Sequence, residues 1–533
     1  MAERMGADRV RYRFSPLERR GVIAGWRGGQ IASVAVGLVF AVLALRSRPS
    51  VGGVLLGVVS TGAGVTMAFW PVRGRTGEQW LPLLAHWLWS ASTGGGRRQP
   101  APAPGNGHEM VVDRRGSRTA APDTRTTRVR PAARRPRVFD GLSLIGVPLS
   151  AEPTAPDFGV IVDRRCRTAT AVLAVRGHSF ALLGPGDQDA RISAWARVLS
   201  AMAREGSEVH RIQWIESCLP DDGAAVRRHC TRHTVLGPES PAGRSYQTLV
   251  SESSPVTRRH QVLLGLSIHT ARSARSIRAS GRGMAGTGAV LGREVLSLHQ
   301  ALDGAEVIVD GVLGPGALAR VVARAWTPMR DTMGDTGEGR GSAASWEPRP
   351  MGDRGPDLSD PAPLWPWPMA TEPQWDSVHT DATWHATYWI AEWPRVDVTP
   401  DFLGPLLFSP LRRSIALTME PVSPSRAARQ VAQARTADLA DGELRRRGGF
   451  LVTARHTREK ESVEDRDAEL ADGHAQYRFS GYVTVTADTR DELTGACAAV
   501  EQAAGQARIE IRLLYGEQDA AFACSLPLCR GLS

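Results

Sequence analysis

Two long apolar runs follow a charged leader of some 27 residues. Gly28 to Leu45 carries no charged residue, and Val51 to Trp70 is another twenty residues without charge. At about 1.5 Å per residue, either run as a helix covers a hydrocarbon core about 30 Å thick. Only Arg46 to Ser50 separates them, so the pattern predicts a helical hairpin across a bilayer. Gly52, Gly53, Gly57, Gly62 and Gly64 in the second run suit close helix packing in lipid. The next stretch, Trp80 to Trp89, sets three indoles among leucines. It predicts a segment lying in the headgroup layer.

After residue 92 the apolar pattern stops. Residues 93–138 hold Gly94-Gly95-Gly96, a Pro/Ala run from Pro100, and eleven arginines against three acids. Such a stretch has too little to bury and reads as an extended linker. From Phe139 short alternating runs replace it. Strands are predicted over Phe158–Asp163, Thr168–Val175, Val209–Ile215, Val262–Ile268 and Glu306–Val312, with helices over Ala190–Arg204, Val290–Leu302 and Ala317–Trp326. Residues 328–362 are Gly/Pro/Asp-rich and read as a second linker or long loop. Seven tryptophans follow between Trp346 and Trp393, and most of these rings are expected to fill a core. Beyond them, strands Ile415–Pro421, Tyr477–Ala487 and Ile509–Leu514 alternate with helices Arg426–Arg446, Glu459–Ala471 and Asp491–Ala507.

The expected fold is therefore α+β: an N-terminal transmembrane hairpin, then a body of ferredoxin-like α/β units rather than a parallel doubly wound sheet. Its divisions are a membrane domain over 1–92 with spans at about 28–45 and 51–70, the linker 93–138, a first α/β domain over 139–327, the loop 328–362, and a second α/β domain over 363–533.

Composition sharpens this picture in two ways. Lys460 is the only lysine, and it sits in Arg-Glu-Lys-Glu-Ser with no glycine loop before it. A Walker A phosphate loop, which needs Gly-x-x-x-x-Gly-Lys-Ser/Thr, cannot be built from this chain. Second, the net charge of +10 is uneven: residues 1–138 hold 22 arginines against seven acids, a net of +15, so the remainder carries −5. The basic excess flanks the apolar runs, and only two arginines lie between them. The positive-inside rule then puts both ends in the cytoplasm, in a two-pass protein of the cell membrane. Linker arginines are expected to be drawn to an anionic inner leaflet. Trp70, Arg73, Arg75, Trp80, Trp87 and Trp89 are the expected membrane-interface residues. Nucleic-acid binding by direct base readout is not expected, because no aromatic residue interleaves the linker arginines before Phe139.

Candidate chemistry is sparse. Gly281-Arg282-Gly283-Met284-Ala285-Gly286 fits Gly-x-Gly-x-x-Gly, but a polar Arg/Ser run precedes it where a dinucleotide fingerprint requires a strand. His229, Cys230 and His233, with Cys218 nearby, have fragments of metal spacing among arginines that would oppose a cation. The six cysteines read as reduced thiols of a cytoplasmic body. This reading assigns no catalytic, cofactor-binding or metal-ligating residue, and the chain is expected not to be an enzyme.

Two spans followed by Gly74-Arg75-Thr76-Gly77-Glu78-Gln79-Trp80 resemble the PrgI-type membrane subunit of type IV secretion and conjugation systems. Glu469-Leu470-Ala471-Asp472-Gly473-His474, the strand from Tyr477 to Val485, and Gln518-Asp519-Ala520-Ala521-Phe522 leading to Leu526-Pro527-Leu528 resemble the N-terminal half of VirB-type secretion ATPases. The chain stops five residues after Leu528, where the motor of that family would start. The arrangement is similar to an uncharacterised actinobacterial two-pass family found with conjugation-like machinery. The resemblance implies a non-catalytic inner-membrane scaffold that recruits a separate secretion ATPase and meets other membrane subunits, with the lipid bilayer and a second copy of the chain as further candidate partners. Phe522, Leu526, Pro527 and Leu528, on an exposed end from Gln518, are the expected docking anchors. Competing readings are an EccE-type subunit of type VII secretion, also with two N-terminal spans, and a membrane-tethered enzyme.

Overall fold

The computed structural model describes residues 28–47, 49–72, 75–92, 137–149, 157–177, 180–220, 240–253, 258–326, 366–368, 370–448 and 454–532. The leader, most of both linkers, Arg73, Trp346, Trp365, His229, Cys230 and His233 lie outside these.

Helices α1 (Gly28–Ser47) and α2 (Val51–Phe69) form an antiparallel hairpin, and both are long and apolar enough to cross a membrane. Small residues let the backbones touch. A Cβ on Gly37 would stand 2.8 Å from the Ser60 carbonyl oxygen, and one on Gly64 2.8 Å from that of Ser33. Gln30 donates to the Ala68 carbonyl at 3.0 Å. Val39, Phe40, Val42, Leu55 and Val58 point outward, each more than half exposed, as expected of side chains that face acyl chains rather than a protein core. A short ribbon, β1 (Pro71–Val72) and β2 (Arg75–Thr76), leads into α3 (Gly77–Ser92). The segment expected in the headgroup layer is thus a helix.

The body is mixed helix and antiparallel sheet, and its strands form one twelve-stranded sheet among the described residues. Its first half runs β3 (Leu142–Pro148), β4 (Asp157–Asp163), β5 (Thr168–Arg176), α4 (Pro185–Met202), β6 (Val209–Pro220), α5 (Pro241–Ser253), β7 (Arg258–His269), α6 (Ala274–Ala279), α7 (Gly283–Asp303), β8 (Ile308–Val312) and α8 (Pro315–Trp326). The second half runs β9 (Thr371–Pro373), β10 (Val378–Thr380), β11 (Thr383–Glu392), α9 (Gly404–Leu407), β12 (Arg413–Pro421), α10 (Pro424–Gly448), α11 (Ala454–Ala471), β13 (Tyr477–Ala487), α12 (Arg490–Gln506), β14 (Glu510–Leu513) and α13 (Gln518–Cys524).

The halves repeat one topology. In the first, β8 pairs β5, β5 pairs β7, and β7 pairs β6; in the second, β14 pairs β11, β11 pairs β13, and β13 pairs β12. Each begins with a hairpin whose inner strand, β4 or β10, takes the first part of the edge later shared with β8 or β14. The two expected domains are therefore halves of a single sheet. They join where β6 and β12 pair antiparallel, from Cys218 opposite Arg413 to Ile212 opposite Met419.

Side-chain alternation gives the sheet two apolar faces. On one, Leu173, Ile212, Leu264 and Leu266 meet Val198 of α4 and Leu291, Val295 and Leu298 of α7. The same face continues in the second half with Tyr388, Ile415, Val483 and Val485 under Leu493 and Val500 of α12. Here α9 is a single turn, and Leu403, Leu406, Leu407 and Leu411 fill the place of a full helix. On the other face, Val172, Ala174, Ile215 and Ala416 lie under Leu318, Val322 and Trp326 of α8 and Phe522 and Ala523 of α13. The α10–α11 pair is an arm inserted between β12 and β13 with a small core of Val431, Ala434 and Val463.

Candidate functional site

The expected docking anchors are core. Phe522, Leu526 and Leu528 are each at most 2% exposed, and Pro527 is buried with them. The exposed-end expectation is corrected here: Gln518 opens α13, whose apolar side seats on the sheet. Gln518 itself, wholly buried, holds the peptide of Thr387 at both ends. It accepts from the amide at 2.8 Å and donates to the carbonyl at 3.2 Å.

The last residues bind both halves together. Gln213 of β6 donates to the Cys524 carbonyl at 2.8 Å and accepts from the Cys529 amide at 2.8 Å. Thr418 of β12 donates to the Arg530 carbonyl at 2.8 Å, and Tyr482 of β13 to that of Gly531 at 2.6 Å. Arg530 reaches back to Asp163, Nη2 to Oδ2 at 2.6 Å, and to the Val138 carbonyl. Burial works to raise the Asp163 carboxyl, but the Cys166 amide and the Arg530 guanidinium outweigh it and hold the group below its ordinary range. Burial pushes the Cys524 and Cys529 thiols up to about 12, so both stay protonated and unreactive.

The interface residues divide into two groups. Trp70 and Trp89 are 67% and 70% exposed. Trp80 and Trp87 instead turn to the body and meet Trp375 in the β9–β10 turn, with ring centroids 5.9 Å and 5.3 Å away. Tyr515, between β14 and α13, closes the group at 5.9 Å from Trp80 and 6.1 Å from Trp375. Arg75 lies over the Trp80 ring, 5.8 Å from its centroid, and its Nη2 reaches Glu517 at 3.4 Å. A Cβ on Gly77 would stand 2.9 Å from the Met67 side chain, so α3 presses against the end of α2 while its indoles press on the sheet. This joint couples hairpin to body through aromatic contact, with a half-exposed ion pair at its rim.

The joint occupies a defined place in the repeat. Between β10 and β14 the Gly516 amide donates to the Trp375 carbonyl at 2.7 Å, and the Leu514 amide to Thr387 at 3.2 Å. Sequence patterning did not single out Trp375 or Tyr515; the only signal was the excess of tryptophans before Trp393.

Two buried polar clusters lie elsewhere. At the seam, fully buried Arg413 donates to Glu216 and to the Leu407 carbonyl, while His260 Nδ1 lies 2.7 Å from Glu216. In the second half, His385 is enclosed by Thr380, Thr383 and Thr486, at 2.7, 3.0 and 2.9 Å. Burial pushes its pKa down to about 3, and it stays neutral. His385 is wholly enclosed, whereas His260, 45% exposed at its side chain, leaves the seam cluster open to solvent on one side. A cleft between Val321, Arg412, Thr486 and Pro527 encloses about 40 Å³, room for little more than a water molecule. Among the described residues no cluster of three His, Cys, Asp or Glu is placed for a metal ion. Gly281 and Arg282 form the turn between α6 and α7, and Gly283 to Gly286 open α7, so the motif follows a helix rather than a strand. Compared with known proteins, the chain matches no family model and no curated protein.

Proposed function

We propose that the chain is a membrane-anchored, non-catalytic scaffold of a secretion machine of the type IV or conjugation kind, which holds its α+β body at the cytoplasmic face for a separate ATPase. One observation carries this reading: Trp80 of α3 stacks on Trp375 and touches Tyr515, and Trp87 meets Trp375 edge-on, while α3 packs on α2. The body is thereby seated on the hairpin instead of trailing from a flexible tether. The outward apolar surface of both helices supports the anchor, and arginine on both flanks supports cytoplasmic termini. Each half of the body reads as a ferredoxin-like unit, supported by strand pairing in which the fourth strand flanks the first, with α5 or the α10–α11 pair inserted between the second and third strands. The anchors for a partner lie outside the C-terminal core segment, since Phe522 and Leu526 are engaged in the fold.

Two measurements test the reading. A reporter inserted at Ser50 is expected to act as extracytoplasmic and one fused after Trp70 as cytoplasmic; cytoplasmic activity at both would remove the anchor. Affinity purification of the full chain from membranes is expected to bring down an ATPase with a complete Walker loop. ATP turnover by the purified chain alone would contradict a scaffold role.

A further inference from the structure

One end of the first half carries a concentrated basic face. The β4–β5 turn contributes exposed Arg164, Arg165 and Arg167, the turn after β7 contributes exposed Arg272, and α6 contributes exposed Arg275 and Arg278, with Arg282 in the turn that follows. The Thr270 amide and hydroxyl both donate to the Arg167 carbonyl, at 2.8 and 3.0 Å, which brings the two segments together. No acid occurs between His269 and Glu294. Three nearby acids have partners of their own: Asp163 is held by Arg530, Glu420 by Arg211 at 3.2 Å, and Glu208 by the Ser276 hydroxyl. The local field shows in His210, where Arg272 Nη1 approaches Nδ1 at 3.4 Å. Burial, followed by the Arg211 guanidinium, pushes this imidazole down to about 4.

We propose that this end of the first half is a second membrane contact, which lies flat on anionic phospholipid headgroups. The inference rests on the hairpin being a membrane anchor, because that anchor keeps a bilayer within constant reach. Guanidinium groups suit phosphate through paired N–H donors, and clustered bases near an anionic leaflet add their attractions. The face is made of turn tips at one end of a sheet, and it holds no Phe, Tyr or Trp in 164–167 or 270–286 on which a base could stack. Met284, 42% exposed beside these arginines, supplies an apolar side chain for the interface. These features favour a lipid surface over a nucleic acid.

The test uses the full chain in lipid nanodiscs, either wholly zwitterionic or containing about one-third phosphatidylglycerol. Backbone hydrogen exchange is read over 164–167 and 270–285. Exchange in the anionic discs is expected to be slower by about tenfold, and high salt should reverse this as the screening length falls to about 3 Å. Arg272→Gln, Arg275→Gln and Arg278→Gln together should abolish the difference; should that variant misfold, the salt series on the unaltered chain decides. Equal exchange in both discs overturns the proposal. So does protection that arises only on adding a single-stranded oligonucleotide, which would assign the face to nucleic acid. A chain that fails to co-elute with discs of either kind overturns the anchor reading as well, whereas co-elution without protection overturns this contact alone.

Discussion

The two halves of the sheet share a topology but differ at their equivalent corners and ends. On the outer edge of β5 the meeting of β4 and β8 is sealed from within: the Gly159 amide donates to Leu313 at 2.7 Å, and Pro315 packs 3.0 Å from where a Cβ of Gly146 on β3 would stand. The corresponding corner between β10 and β14 is closed from outside, by Trp80 and Trp87 of the hairpin's helix. The ends differ in charge. Where the first half has Arg164, Arg165, Arg167 and the α6 arginines, the second has Asp381, Asp488, Asp491 and Glu492 among Arg412 and Arg490. Here acid serves local order, as in the capping box of Thr489 and Glu492. One topology thus yields a half that meets the hairpin and a half with an exposed basic end.

The comparison can be broken most forcefully through α13, the counterpart of α8. Phe522→Ala is expected to cost about 3–5 kcal/mol of stability, read as a lower denaturation midpoint. A loss under about 1 kcal/mol would mean that α13 is no part of the core. At the seam, Arg413→Met leaves the Glu216 carboxylate buried without its cation and should cost a similar 3–5 kcal/mol. Arg413→Met with Glu216→Leu should recover much of that, and a double variant no better than the single would show that the pair does not act as a unit.

A pH series probes the enclosed histidine of the second half. The His385 pKa is depressed to about 3 in the fold. Between the ordinary value near 6.5 and that point the unfolded chain binds a proton the folded chain does not, so stability falls as pH is lowered, by roughly 1.4 kcal/mol per unit. His385→Gln should flatten this slope in unfolding of the second half; an unchanged slope would clear His385. At the joint, Trp375→Ala should loosen body from hairpin at a cost of about 0.5–1.5 kcal/mol beyond lost burial. Faster proteolysis of the segment around α3 would reveal it. Glu517→Gln should be the mildest, within about 1 kcal/mol, because its partner Arg75 lies 3.4 Å away at a half-exposed rim.

What the sequence declares is what local pattern can carry. The uncharged runs announced the hairpin, and the alternation of Val209–Ile215 and Tyr477–Ala487 announced central strands. The halves were read as separate domains because the seam pairs Ile215 with Ala416, 201 positions apart, and nothing local encodes such a pairing. Strands β9 and β10 are three residues each, too short for an alternation to register among tryptophans and prolines. The expectation of an exposed end from Gln518 to Leu528 rests on the resemblance and not on any local pattern, and polar Gln518 carries no sign of its burial. The glutamine is buried instead, and its amide takes the place of a neighbouring strand for Thr387. Nothing local in the sequence separates Trp70 and Trp89, which are exposed, from Trp80 and Trp87, which face the body.

The central claim is that α3 seats the second half of the body on the hairpin. It is tested most directly by placing a photoreactive phenylalanine analogue at Trp87 in the full chain, in native membranes, and mapping the covalent adducts after irradiation. The account predicts capture on residues 371–380 or 513–517, the two segments that hold Trp375 and Tyr515. Adducts on lipid alone, or on the first half around Gly146 and Pro315, would contradict it.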